Sequence, residues 1–283
     1  MATEKGISED ERLKRAYYDL VGDWNLPIVH MGGLSDTYRL LEMCEVDESS
    51  RVLEVGCGVG FTACEIGKQY GARVVGIDLS ENMIANAKKR AQSLSLNDLV
   101  EFRVGDVTGL PFDDGSFDVV IMESFLNILG EPGLIGRALQ EISRVTKPGG
   151  RVGANEVFVD ASAPSEVRNR LREHLEGVYG PGAGLARHTD EVLRKLFEDA
   201  GLSVIEMVKK PAAGTRSQLV RDLVKVMGLG GFMRYSLRAA KDMMLNSELR
   251  EATKKAAPAV RLMERDKDTR DYFGYALIVA GKS

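Results

Sequence analysis

The chain has 283 residues, 44% apolar and 28% charged, with a formal net charge of −4, the proportions of a soluble globular protein. No window approaches the 18 uninterrupted apolar residues of a membrane span, and the first ten residues lack the basic and apolar halves of a signal peptide. Cys44, Cys57 and Cys64 form neither a metal-ligand spacing nor a disulfide framework, so the cytoplasm is the expected address and small buried side chains the expected role of Cys57 and Cys64.

The length suits one α/β core with insertions, or a core plus a cap. The first 45 residues are expected to form a helical lid over the site. Within them Trp24-Asn-Leu-Pro-Ile-Val-His30-Met-Gly-Gly33 precedes a helix around Leu34–Met43. His30 is a candidate proton acceptor or cofactor contact, against the alternative of a hydrogen-bonded structural histidine. Tyr17 and Trp24 are candidate walls of a substrate pocket. The core is expected over 46–208, and from residue 50 onward strands and helices alternate.

Arg51-Val-Leu-Glu-Val is a buried-strand run ending in glycines at 56, 58 and 60, and Phe61 then begins a helical stretch. A strand that enters a glycine turn and a helix N-terminus is a ligand cradle, because the backbone can approach the ligand and the exposed N–H groups attract an anionic group. Further strands are predicted at 73–78, 100–106, 117–122, 151–157, 204–208 and 272–279. Helices are predicted over 81–94 and along the 134–145 face, the latter stopped by Pro148-Gly149-Gly150. Thr189 is the expected cap of another helix, closed by Gly201. Regular alternation implies a largely parallel sheet covered by helices on both faces.

Two carboxylates fall where a nucleoside reader needs them. Asp78 ends the second strand, where its oxygens can accept both ribose hydroxyls, and Asp106 ends the third, where it can accept from an exocyclic adenine amine. The Val107 amide is placed to serve a ring nitrogen. Alone, each acid also fits an ordinary turn at a strand end. A dinucleotide fingerprint wants its third glycine one residue later than Gly60. Glu54 is moreover a poor neighbour for a pyrophosphate and a good one for an ammonium. S-adenosylmethionine (SAM), with an adenine, a ribose diol, an amino-acid tail and no phosphate, matches Glu54, Asp78 and Asp106 better than NAD does.

Glu54-Val-Gly-Cys-Gly-Val-Gly60, Gly76-Ile-Asp78-Leu-Ser, Gly105-Asp106-Val, Leu110-Pro-Phe-Asp-Asp-Gly-Ser-Phe-Asp118 and Lys147-Pro-Gly-Gly150 resemble the successive motifs of class I SAM-dependent methyltransferases. They are most similar to the small-molecule branch that holds ubiquinone/menaquinone, tocopherol and sterol methyltransferases. The resemblance covers residues 28–157 strongly and the last strand moderately, and is more specific for the cofactor than for the acceptor. It implies a Rossmann-like seven-stranded sheet with the last strand antiparallel and SAM across the C-terminal edges of the first strands. Gly56, Cys57, Gly58 and Gly60 would then line the methionine part, Asp78 the ribose, and Asp106 with Val107 the adenine. Leu79 and Met83 would pack on the adenine faces, with Met83 as plain helix filler the open alternative.

The sulfonium methyl is already activated, so displacement needs mainly a nucleophile held about 3 Å away in a dry pocket. Candidates for catalysis or substrate contact lie beyond the fourth and fifth strands, at Glu123-Ser-Phe-Leu-Asn127 and at Asn155-Glu156. Glu123 fits a cofactor neighbour or a substrate base, Glu156 a base or a structural hydrogen bond, and Phe125 and Asn127 are candidate substrate contacts. Three scattered histidines make a metal site disfavoured.

Residues 209–270 are expected to form a helical cap inserted before the last strand at 271–283. They hold fifteen Lys/Arg against seven Asp/Glu, about +8, so the remainder carries about −12. Leu219, Val220, Leu223, Val224 and Met227 trace a helix face, and Met233, Met243, Met244 and Met263 enrich the segment in flexible apolar side chains. The expected partner is a small, largely apolar acceptor such as a quinone, prenylated phenol or lipid. Peripheral contact with an anionic membrane is a further expectation, nucleic acid ranks last, and the sequence leaves monomer and dimer equally open. The rival reading is a non-catalytic SAM- or NAD-binding regulatory module.

Overall fold

The structure, a computed structural model, describes residues 22–129, 132–179 and 188–283. Tyr17 lies outside the described residues. A helix α1 (Gly33–Met43) precedes the first β/α units: β1 (Arg51–Val55), α2 (Phe61–Tyr70), β2 (Arg73–Asp78), α3 (Glu81–Ser93) and β3 (Val100–Val104). There follow β4 (Phe117–Glu123), α4 (Leu126–Leu129), α5 (Pro132–Val145), β5 (Thr146–Val159), α6 (Ser165–Tyr179), α7 (Asp190–Asp199) and β6 (Leu202–Pro211). Two helices, α8 (Thr215–Leu245) and α9 (Ser247–Glu264), separate β6 from β7 (Phe273–Lys282).

Seven strands form one sheet in the order β3-β2-β1-β4-β5-β7-β6. β1 through β5 pair in parallel, and β7 inserts antiparallel between β5 and β6. Local chemistry sets most element ends. α2 begins after Gly60 and ends before Gly71, both in the left-handed region at φ 72° and 70°, which glycine adopts without a Cβ penalty. The Ser80 and Thr189 hydroxyls accept from the Met83 and Val192 amides, each at 3.2 Å, and so cap α3 and α7.

One reading of the 148–150 stretch changes. The helix does end at Val145, but Lys147–Gly150 belongs to the start of β5, in a bulge where the β4–β5 register jumps between Phe117 and Val119. A Cβ on Gly150 would stand 2.8 Å from the Asp118 carbonyl oxygen, so the bulge itself requires glycine. β6 also runs on to Pro211, into the stretch read as the start of the inserted cap.

The sheet is buried on both faces, which explains its near-continuous apolar strands. Leu53, Val55, Val75, Ile77, Val120, Met122, Val152 and Ala154 pack against Ile135, Leu139 and Ile142 of α5 and Phe197 of α7. On the other face Val52, Val74, Val100, Val119 and Ile121 meet Leu40 and Leu41 of α1, Ile66 of α2 and Ile84 of α3. Strand alternation assigns every later side chain to one of these faces.

Residues 22–32 form a strap held at both ends. At one end Asn86 Nδ2 donates to the Gly22 carbonyl at 3.0 Å and Arg90 donates to Asn25 Oδ1 at 2.9 Å, both from α3. At the other end, Gln218 of α8 donates to the Gly32 carbonyl at 2.7 Å, and Asp222 accepts the Leu34 amide at 3.1 Å. α8 is not one continuous helix, because Gly228 has φ 67° and ψ 162° inside it.

Candidate active site

The site forms where β1, β2 and β4 end. Glu54, Asp78 and Glu123 share the parity of Val52, Val74 and Ile121, so all three project from the face covered by α1, α2 and α3. Gly56, Gly58 and Gly60 all have positive φ, 67°, 51° and 72°, and they do three different jobs. A Cβ on Gly60 would lie 2.5 Å from the Phe102 ring and 2.7 Å from the Ala87 Cβ, so Gly60 allows close helix–sheet packing. At Gly56 it would strike Phe125 at 2.5 Å. At Gly58 it would meet nothing within 4 Å, so this glycine faces open space. Cys57 is buried, its amide donating to the Ile77 carbonyl at 2.9 Å, and its sulfur sits under Gly76, whose Cβ would be 3.0 Å away.

Asp78 organises the turn before any ligand arrives. Its Oδ2 accepts the Gly58 amide and its Oδ1 the Ser80 amide, each at 2.9 Å. Each oxygen keeps a second lone pair, so the carboxylate still has acceptor capacity for a diol. Burial raises its pKa, against the lowering effect of the Ser80, Gly58 and Leu79 amides. Asp106 accepts both the amide and the hydroxyl of Thr108 at 2.8 Å, both on Oδ1, in an exposed turn beside buried Val107. Leu79 is 72% exposed at the edge between these two acids, an apolar surface suited to a flat ring. Met83 is instead buried against Val59 and Leu26 of the strap, which favours the filler alternative.

Glu54 carries the most informative electrostatics. It is buried, and its Oε2 has no hydrogen-bond partner. Burial, then the neighbouring Glu123 and Asp78 carboxylates, push its carboxyl well above the usual range. Among the described residues no lysine or arginine forms an ion pair with Glu54, Asp78 or Glu123. An orphaned acid in such a cluster is costly unless a cation completes it.

Glu123 ties the strap to the sheet. Its Oε1 accepts from Thr37 at 2.9 Å and its Oε2 from Thr62 at 3.0 Å, while His30 Nε2 stands 3.5 Å from Oε2. The same His30 nitrogen lies 3.3 Å from Thr37 Oγ1. Its Nδ1 lies 3.1 Å from the Met31 carbonyl and 3.3 Å from Asn155 Nδ2, which also donates to that carbonyl at 2.8 Å. The structure therefore brings His30 and Glu123 together with Asn155, one of the two candidates at the end of the fifth strand, and with Thr37 and Thr62, which sequence reasoning did not select. Asn155 pairs with Glu123 across β4 and β5, so parity was the available signal for choosing it over its neighbour.

Glu156 is corrected on that ground. It has the parity of Val152 and Ala154 and projects from the opposite face, where it is fully buried. Its Oε1 accepts the Phe125 and Leu126 amides at 2.7 and 2.9 Å, at the start of α4. Burial raises its pKa to about 7, opposed by the Leu126, Phe125 and Asn127 amides. It positions the 124–127 turn, in which Ser124 holds φ 53°, and so places Phe125 over Gly56. Asn127 is half-buried in α4 with an unbonded Oδ1. The Trp24 indole donates to Asp242 at 2.8 Å and meets Tyr235 edge-on at 5.8 Å, so it fastens the strap to α8.

A glycine turn with one open position, a ribose-ready carboxylate and an uncompensated acid fit a cationic nucleoside ligand. The residues suit SAM, whose ammonium would complete Glu54, and the arrangement resembles that of class I SAM-dependent methyltransferases. Residues 53–153 match the family described as "Methyltransferase domain". Phosphoethanolamine N-methyltransferase 1 of Arabidopsis thaliana is 33% identical over 62% of this chain, which spans only 33% of that protein. O-methyltransferase rstn1 of Aspergillus nomiae is 29% identical over 72% of this chain and 91% of its own length. Among solved structures, Haemonchus contortus phosphoethanolamine N-methyltransferase 2 in complex with SAM superposes with a TM-score of 0.65 at 18% identity, covering 98% of this chain and 61% of that one. The [4+2]-cyclase SpnF gives 0.69 at 22% identity, covering 98% and 96%. At these identities the structural likeness shows the fold alone.

Proposed function

We propose that the chain moves the sulfonium methyl of SAM, by in-line displacement, to a small and largely apolar acceptor such as a quinone, prenylated phenol or lipid. The observation that carries the donor side is the buried Glu54, its Oε2 unbonded, beside Asp78 and Glu123 with no Lys or Arg partner among the described residues. SAM supplies an ammonium and a sulfonium, whereas NAD supplies a pyrophosphate that this acidic edge would repel.

The acceptor side rests on the apolar cluster where β5 and β7 meet at the same end of the sheet. Val157, Val159, Phe273 and Tyr275 pack there with Val167 and Leu171 of α6, Leu262 of α9 and half-buried Met31 of the strap. α8 and α9 would complete the walls, and the cytoplasm is the compartment we assign. His30 and Glu123 act in this reading as positioning residues, because both imidazole nitrogens and both carboxylate oxygens already have partners. Proximity and water exclusion then supply most of the acceleration, on the order of 7–11 kcal/mol in well-oriented cases.

The test is calorimetric titration with SAM and with NAD, followed by mass spectrometry of an apolar phenol and quinone panel and of phosphoethanolamine after incubation with SAM. SAM binding and the mass gain of one CH₃ in place of hydrogen on an apolar acceptor are expected. Methylation of phosphoethanolamine alone would reject the apolar acceptor, and NAD binding without SAM binding would reject the whole reading.

A further inference from the structure

The helix α8 has two apolar faces, and among the described residues only one of them is covered. On the covered face Leu219 and Val226 pack with Ile28, Leu34 and Phe61, and Leu223 is buried. Beyond the break at Gly228, Tyr235 and Asp242 hold Trp24 on that same side. On the outer face Leu229, Met233, Leu237 and Met244 are 67%, 56%, 70% and 78% exposed. Their spacing of four, four and seven residues places all four within about 80° of arc on a helix of 3.6 residues per turn. They form one continuous stripe along the second half of the helix, and Leu245 at its end is 73% exposed.

Charge along the same helix is sorted. Its two acids both serve the strap, Asp222 by accepting the Leu34 amide and Asp242 by accepting the Trp24 indole, with Arg238 Nε 3.9 Å from Asp242. Arg234, Arg238 and Lys241 are exposed beside the apolar stripe. The outward surface of the helix therefore combines flexible aliphatic side chains with cations and no anion, on a chain whose remaining residues are strongly acidic.

We propose that this outer face of α8 docks on an anionic lipid surface, with the Leu/Met stripe among the acyl chains and Arg234, Arg238 and Lys241 at the head groups. Long apolar stripes on soluble chains mark interaction sites, and an apolar stripe edged by cations suits an anionic bilayer interface. A nucleic-acid partner fits less well, because the exposed stripe offers aliphatic side chains and no ring for a base to stack on. No helix among the described residues is long and apolar enough to cross a membrane, so the contact is peripheral. The same helix grips the strap through Trp24 and Gly32 and the start of α1 through Leu34, so a docked α8 would hold the site's cover near the bilayer.

The experiment is flotation of the full chain with vesicles of phosphatidylcholine alone and of phosphatidylcholine with phosphatidylglycerol, about 2:1, in low salt. Binding to the anionic vesicles only, with release as salt shortens the Debye length to about 3 Å at 1 M, is expected. The double variant Leu237→Asn/Met244→Asn should lower the bound fraction at least tenfold, and Arg234→Ala/Lys241→Ala should do the same. SAM affinity should stay unchanged in both, which also reports an intact fold. Absence of flotation at low salt overturns the proposal, as does undiminished binding by both variants. A concentration-dependent dimer that Leu237→Asn/Met244→Asn dissociates would overturn it in favour of a second copy of the chain.

Discussion

Replacing Asp78 with alanine separates the turn-holding function that the structure shows from the ribose contact that we propose for the same carboxylate. In the free protein the change leaves the Gly58 and Ser80 amides, each 2.9 Å from an Asp78 oxygen, without their acceptor. Partly buried N–H groups left unsatisfied cost about 1–3 kcal/mol each, and solvent access at the turn favours the lower end. A stability loss of about 2 kcal/mol by denaturant melt is therefore expected without SAM. In the complex two charge-assisted hydrogen bonds to the ribose also go, at about 1.5–3 kcal/mol each. Affinity for S-adenosylhomocysteine should fall roughly a hundredfold or more by calorimetry.

A fall in affinity alone would not prove the ribose contact, because a slackened glycine turn would also weaken binding. The decisive measurement is a cycle with the 2′-deoxy analogue. In the wild-type protein the missing hydroxyl should cost about 1.5–3 kcal/mol, and in Asp78→Ala the same deletion should cost little. Equal penalties in both backgrounds would refute the ribose assignment, even if the variant binds weakly throughout.

Gly58→Val tests the open position in the turn. Its Cβ meets nothing within 4 Å in the free protein, so the stability loss should reflect only the positive φ of 51°, about 1–2 kcal/mol, while SAM binding disappears. Normal SAM affinity in a folded variant would remove this turn from the site. Glu156→Gln tests the buried carboxylate beneath α4. The folded pKa of about 7 lies above the ordinary 4.5, so this group's favourable contribution is complete below about 4.5 and is lost as pH rises through about 7, about 3 kcal/mol in all. Glutamine keeps an oxygen for the Phe125 and Leu126 amides and has no such loss. The variant should therefore gain about 3 kcal/mol on the wild type between pH 4.5 and pH 8 in chemical denaturation, and parallel pH curves would show that burial does not govern Glu156.

Much of this site was legible before folding because its logic is local. Glu54, Gly56, Gly58, Gly60, Asp78 and Asp106 occupy strand ends and turns whose form depends on neighbours a few residues away. Period-two runs and glycine punctuation are enough to set strands, helices and the placement of those acids at one sheet edge. Parity along β5 lay within the same logic, and it separates Asn155 on the site face from Glu156 on the far one. What only the tertiary structure decided concerns residues far apart in the chain. Trp24 finds Asp242 across 218 residues, Thr37 finds Glu123 across 86, and β7 enters between β5 and β6. Periodicity tells which face of a helix or strand is apolar, but not which partner covers it. The partner is selected when many elements bury their faces together, a balance of packing and lost chain entropy that no short window of sequence contains. For the same reason the second apolar face of α8 was not distinguished from the first until Trp24, Leu34 and Phe61 were seen on one side of the helix and solvent on the other.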